Sequence, residues 1–145
     1  MSALTFDTLS VGQTVRDSTT VTETHLVLAA AIFKDFNPVH VDESFAAAGR
    51  FGSRVLHDAL TAGMMVGVLG NELGAAALAL VEQSVRFLGA VHANDTLTTE
   101  WTVEHLEPKP RLPEGGGLVT FRGTCRKVGG EAVAEGTCKF LVRSG

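Results

Sequence analysis

The residues best suited to chemistry lie in one short run, Asp35-Phe36-Asn37-Pro38-Val39-His40-Val41-Asp42. The apolar stretch Leu26 to Phe33 leads into it and reads as helix. In an unbroken helix, residues five apart point about 140° away from each other around the axis. Pro38 has no N–H to donate and pushes Asn37 out of helical geometry, so the helix must stop near Asp35–Phe36. The break lets His40 fold back beside Asp35. A carboxylate and an imidazole can then share one water.

Such a pair suits the hydration of a conjugated carbonyl. A base takes a proton from water as its oxygen attacks the β-carbon, and a proton must then reach the α-carbon. Histidine titrates near neutrality, and partial burial raises an aspartate towards it. The enolate that forms needs hydrogen-bond donors. The helix predicted to start near His57 offers them, through its free N–H groups and the positive end of its dipole. A mixed nitrogen and oxygen metal site from His40, Asp42, His57 and Asp58 is the competing use of these side chains, but no tight ligand motif supports it.

Two helices must carry this run. Residues 23–35, capped by Thr22, and residues 57–73 lack alternation and are rich in Ala, Leu and Met. The second has Ala59, Gly63 and Gly67 four apart on one face, which predicts a close neighbour there, such as a sheet wrapped around the helix. After Leu78 the period becomes two. Val81, Val85 and Phe87 alternate with polar residues, as do Leu97, Thr99, Trp101 and Val103. The pattern continues through Val119, Phe121 and Cys125, and through Ala134, Cys138, Phe140 and Val142. Four one-sided strands predict an antiparallel sheet with one wet face. Turns fall at Ala93-Asn94-Asp95 and Gly129-Gly130, and a loop rich in proline and glycine runs from Glu107 to Gly117. An early strand near Gln13–Val21 completes the sheet. The pattern is α+β, a helix of about 25 Å held in a curved antiparallel sheet, which is the hotdog arrangement.

Composition bounds the rest. The chain has 145 residues, enough for one domain spanning 1–145. A hydrophobic share of 45% and a charged share of 19% describe a globular protein. The net charge of −4 gives no basic field for nucleic acid. The start, MSALTFDTLS, has no signal-peptide pattern, and no apolar run approaches the roughly 20 residues of a membrane span. Cys125 and Cys138 read as reduced, buried thiols of a cytoplasmic protein.

The hexapeptide Asp35 to His40, with Phe45-Ala46-Ala47, Phe51-Gly52 and Val55-Leu56-His57, resembles the signature of MaoC-like hydratases. These are the (R)-specific enoyl-CoA hydratases of the hotdog superfamily. Ser84 to Val91, followed by Asn94-Asp95-Thr96-Leu97, is similar to a strand pair of the same family. The resemblance implies a homodimer or larger homo-oligomer, a CoA or acyl-carrier-protein thioester substrate, and no metal or other cofactor. By position it makes Asp35 and His40 the catalytic pair and places Asn37, Gly52, His57 and Asp58 at the substrate, with backbone N–H groups near Asp58 on the thioester oxygen. Asp58 stands where the family usually has glycine. Val66 stands where it often has a hydroxyl that steadies the aspartate, and an Asp58 carboxylate facing the pocket would repel an enolate, so either the substrate differs, or the reaction does, or Asp58 points away and Thr61 or a water takes the hydroxyl's place. A thioester hydrolase and a non-catalytic acyl-binding subunit use the same features and remain alternatives.

Overall fold

The computed structural model describes residues 4–145. Strand β1 (Thr14–Thr20) is followed by helices α1 (Glu23–Phe33), α2 (Pro38–Val41), α3 (Glu43–Ala48) and α4 (Asp58–Leu73). Strands β2 (Ala77–Phe87), β3 (Thr96–Pro108), β4 (Gly117–Lys127) and β5 (Ala132–Val142) complete the chain. The five strands form one antiparallel sheet in the order β1-β3-β4-β5-β2. Its apolar face holds α4, which buries Met65, Val68, Leu69 and Leu73 against Trp101, Val103, Phe121 and Cys138. This is the hotdog fold expected from the alternation.

Two side-chain hydrogen bonds fasten the helix to the sheet. The Trp101 indole N–H donates to the Met65 carbonyl at 2.8 Å, and the Gln83 amide donates to the Ala62 carbonyl at 2.8 Å. The indole lies across the backbone of Gly123, its partner in the ladder, where any Cβ would collide with the ring. Trp101 is fully buried and cannot swing away. Gly123→Ala is therefore expected to cost about 2–3 kcal/mol of stability, read from chemical denaturation with an unchanged m-value.

Several expectations need correction. The glycine face of α4 does not meet the sheet: a Cβ at Gly63, Gly67 or Gly70 would meet open space. The helix packs through Thr61, Met65 and Leu69 instead, on its opposite side. In β2 the alternation of Val81, Val85 and Phe87 does not mark a buried face, because Val81 and Phe87 are exposed. β2 is an edge strand with register shifts at both Ala77/Ala79 and Leu80/Glu82, so only part of it follows the sheet's inner face. The 107–117 loop is shorter than its composition suggests, since Glu107 and Pro108 pair with Leu118 and Gly117.

The β2–β3 connection is held by Asp95, which accepts from the His92 N–H at 2.8 Å and pairs with Lys127 at 2.8 Å. Partial burial would push its carboxyl up, but the ammonium and the N–H outweigh this and leave it below its ordinary value. A depressed carboxyl stabilises the fold above its unfolded pKa of about 3.9 and ceases to do so as pH falls through its lower folded value. Asp95→Asn should thus cost roughly 1–2 kcal/mol at neutral pH. The gap between the two thermal midpoints should close as the pH is taken below that range.

Both cysteines are buried and unpaired, and burial pushes the Cys138 thiol up to about 11. No helix among the described residues is long and apolar enough to cross a membrane.

Candidate active site

α1 ends earlier than Pro38 alone requires. Lys34 adopts the left-handed conformation, with φ 57° and ψ 32°, and stops the helix at Phe33. Asp35 therefore lies beyond the helix rather than at its end. The cause is local: the Asn37 N–H donates to Asp35 Oδ1 at 3.1 Å, an Asx turn that competes with helical hydrogen bonding. Asn37 in turn caps α2, its side-chain oxygen accepting from the Val39 N–H at 3.1 Å. That oxygen is committed to the turn. Asn37 fixes the Asp35 carboxylate through its main chain, and Oδ2 is left to face the histidines.

His40 comes back beside Asp35, as the break at Pro38 predicts. Its Nδ1 lies 2.7 Å from the Val55 carbonyl oxygen. A carbonyl only accepts, so Nδ1 carries the proton and Nε2 of the neutral ring keeps its lone pair. Nε2 lies 3.7 Å from Asp35 Oδ2. That is too long for a direct hydrogen bond and short enough for one water to reach both. The Asp35 side chain is 51% exposed and that of His40 13%, so the pair is open on the carboxylate side only.

Behind them stands His57, 3% exposed, at the N-cap of α4. Its Nε2–H donates to the main-chain carbonyl of Asp35 at 2.9 Å. Its ring stacks on that of His40, with centroids 3.7 Å apart and planes 22° from parallel, and Phe33 packs on it at 5.9 Å. His57 Nδ1 and Thr61 Oγ1 are buried without a hydrogen-bond partner among the described residues. Thr61 thus gives nothing to Asp35, and Val66 is half-buried against the core. Sequence spacing gave no sign of the Val55 carbonyl, since a main-chain acceptor leaves no mark in residue type.

The start of α4 closes the site. The Leu60 and Thr61 N–H groups bond back to the His57 carbonyl, whereas those of Asp58 and Ala59 form no hydrogen bond among the described residues. Asp58 and His40 line one cleft with Val39, Phe51, Leu56 and Phe87. Burial raises the Asp58 carboxyl, against the pull of His40 and His57. Gly52, with φ 76°, sits in the loop next to Phe51 and outside the residues that line the cleft. A second cleft, against α1, is lined by Leu26, Val27, Ala30, Phe36 and Val41 together with His40. Arg54 ties these walls together, pairing with Glu23 at the start of α1 and Glu43 at the start of α3.

Asp35, His40 and His57 bring ligand atoms within 4.8 Å of one another. Asp42 lies outside this group and caps α3 through the Phe45 N–H. The Nδ1 proton of His40 and the Nε2 proton of His57 already serve carbonyls, which leaves the Asp35 carboxylate and the lone pair of His40 Nε2 facing each other.

Residues 8–114 match the model of the MaoC-like domain. The chain belongs to the MaoC-like dehydratase family. This MaoC-like chain is 35% identical, over 94% of its length and 90% of the relative's, to an (R)-specific enoyl-CoA hydratase of Rhodospirillum rubrum. It is 32% identical to a 3-hydroxybutyryl-CoA dehydratase of Methylorubrum extorquens, over 94% of this chain and 82% of that one. Among solved structures, the unliganded R-hydratase PhaJ1 of Pseudomonas aeruginosa superposes with a TM-score of 0.87 at 25% identity, covering 99% of this chain and 88% of that one.

Proposed function

We propose that this chain adds water across the double bond of a 2-enoyl thioester of CoA or acyl carrier protein, and removes it from the (R)-3-hydroxyacyl thioester, with Asp35 and His40 as the catalytic pair. The observation that carries this reading is the separation of His40 Nε2 and Asp35 Oδ2 by 3.7 Å, with His40 Nδ1 fixed as a donor by the Val55 carbonyl. Both facing atoms are acceptors. A water between them donates one hydrogen to each, and its own lone pair is left aimed outward at a β-carbon. As the C–O bond forms, one of the two accepts the proton, and electron density moves through the α-carbon to the thioester oxygen. The N–H groups of Asp58 and Ala59 stand at the helix end where that oxygen would gain negative charge. The pair then returns a proton to the α-carbon. Dehydration follows the same steps backwards. Names carried by the family's curated members, an enoyl-CoA hydratase and a 3-hydroxybutyryl-CoA dehydratase, support this chemistry.

In this reading His57 is a positioning residue. It holds the Asp35 main chain with one nitrogen and the His40 ring by stacking, and it touches no substrate. Asn37 likewise serves through the turn, and Gly52 through the loop that presents Phe51.

The chain acts as one domain in the cytoplasm, paired with a second copy. β2 leaves a sheet edge open over Ala77–Phe87, with Leu78, Leu80 and Val81 exposed, and an unpaired apolar edge is an aggregation hazard unless covered. The bare face of Ala59, Gly63 and Gly67 on α4 adds a surface that backbone can approach closely. Light scattering on the eluted protein should give twice the chain mass, or a multiple of it. A monomer at micromolar concentration would contradict the pairing.

The activity itself is tested with crotonyl-CoA. Loss of the enoyl absorbance with no free thiol released is expected. Release of thiol would mean hydrolysis, and binding without either change would mean a non-catalytic subunit.

A further inference from the structure

We propose that Asp58 reads the thiol arm of the substrate: its carboxylate accepts a hydrogen bond from an amide N–H of a pantetheine-like arm, and the acyl chain runs the other way, into the cleft against α1. The proposal rests on the function proposed above and adds an assignment of the two ends of the substrate.

His40 is the residue that the two clefts share. A thioester reacting at His40 sends one arm into each. The arms differ in chemistry: the acyl chain is hydrocarbon, whereas the pantetheine arm of CoA or a carrier protein bears amide groups. The clefts differ in the same sense. Leu26, Val27, Ala30, Phe36 and Val41 make the α1 cleft aliphatic and aromatic, and its one charged side chain, Arg54, is engaged by Glu23 and Glu43. The other cleft has apolar walls at Val39, Phe51, Leu56 and Phe87 but includes Asp58, which forms no hydrogen bond or ion pair among the described residues.

A carboxylate without a partner decides which arm it tolerates. A hydrocarbon laid over it strips its water and returns nothing, which is the costly case of burying a charge. An amide N–H returns a charge-assisted hydrogen bond, about twice as strong as a neutral one. Asp58 is exposed at the mouth of this cleft, and the groups crowded around it raise its carboxyl, so an arm laid over it would remove the water it still holds. The backbone N–H of the same residue stays free for the thioester oxygen, so one residue meets both the reacting carbonyl and the arm next to it.

The test compares two thioesters of the same enoyl acid, one on N-acetylcysteamine and one on an alkanethiol of equal length that lacks the amide. The wild-type chain should prefer the amide-bearing thioester by about ten-fold or more in kcat/KM, chiefly through KM. Asp58→Ala should bring the two close to parity, and Asp58→Asn, whose oxygen still accepts, should retain part of the preference. The ranking of acyl chain lengths should not change in either variant. A preference that survives in Asp58→Ala overturns the proposal. So does a change confined to acyl length, which would put the acyl chain beside Asp58. The saturated butyryl thioesters of the same two thiols separate this from the proposed reaction, because their Kd values read the contact without turnover. An amide preference in Kd with no hydration refutes the reaction and leaves the arm assignment standing. Equal Kd values refute the assignment even if hydration is fast.

Discussion

Asp35→Asn and His40→Ala should each lower kcat on a crotonyl thioester by about a hundred- to ten-thousand-fold, the range a positioned acid–base group supplies. That corresponds to roughly 3–5 kcal/mol of barrier. The fold should hardly notice the first change. Asp35 is half exposed, and an Asn oxygen still accepts from the Asn37 N–H. The amide is neutral, takes no proton from water, and offers His40 Nε2 a donor that occupies the lone pair the water needs. Loss of the His40 ring also removes the stack on His57, so a cost of about 1–2 kcal/mol in stability accompanies it. Steady-state rates and thermal midpoints measured on the same preparations separate the two effects. A variant that keeps near wild-type turnover removes its residue from the mechanism.

His57→Phe has the second largest expected effect, and here stability and activity should part company. The substitution keeps a flat ring against His40 but deletes the N–H that holds the Asp35 carbonyl. A net hydrogen bond of about 1 kcal/mol is lost, while the unsatisfied buried Nδ1, itself worth about 1–3 kcal/mol of destabilisation, is removed. The thermal midpoint should therefore stay level or rise. Turnover should fall about ten- to a hundred-fold with KM changed by less than about two-fold, because the bound substrate is unaffected and the water is misplaced. His57→Asn, which keeps a donor, should recover part of the rate. Loss of rate in proportion to loss of stability would mean that His57 only supports the fold, and an unchanged kcat would remove its positioning role.

How much of this was legible in the sequence depends on whether the signal was local. The fold of Asp35 against His40 could be read because Pro38 sits between them and backbone restriction acts over neighbouring residues. The left-handed Lys34 could not, because an Asx turn at Asp35 and a helix running two residues further make similar demands on composition. The stack of His57 on His40 joins separate segments and exists only because the folded sheet places α4 against α1 and α2. The strands of the sheet's interior were legible because burial on one face enforces alternation, as at Leu97, Trp101 and Val103. β2 shows the limit of that rule. Val81 and Phe87 alternate as if buried and are exposed, since an edge strand answers to whatever covers it as well as to its own core. Gly63 and Gly67 make the same point: their spacing predicts a close neighbour, yet among the described residues a Cβ at either would meet open space.

A water held between Asp35 and His40 is expected to end up on the β-carbon of an intact thioester. Incubating the protein and crotonyl-CoA in water labelled with heavy oxygen, followed by mass spectrometry, tests this directly. One heavy oxygen is expected in the hydroxyl of 3-hydroxybutyryl-CoA, with the thioester unbroken. Heavy oxygen found in a free carboxylate, with CoA released, would contradict it.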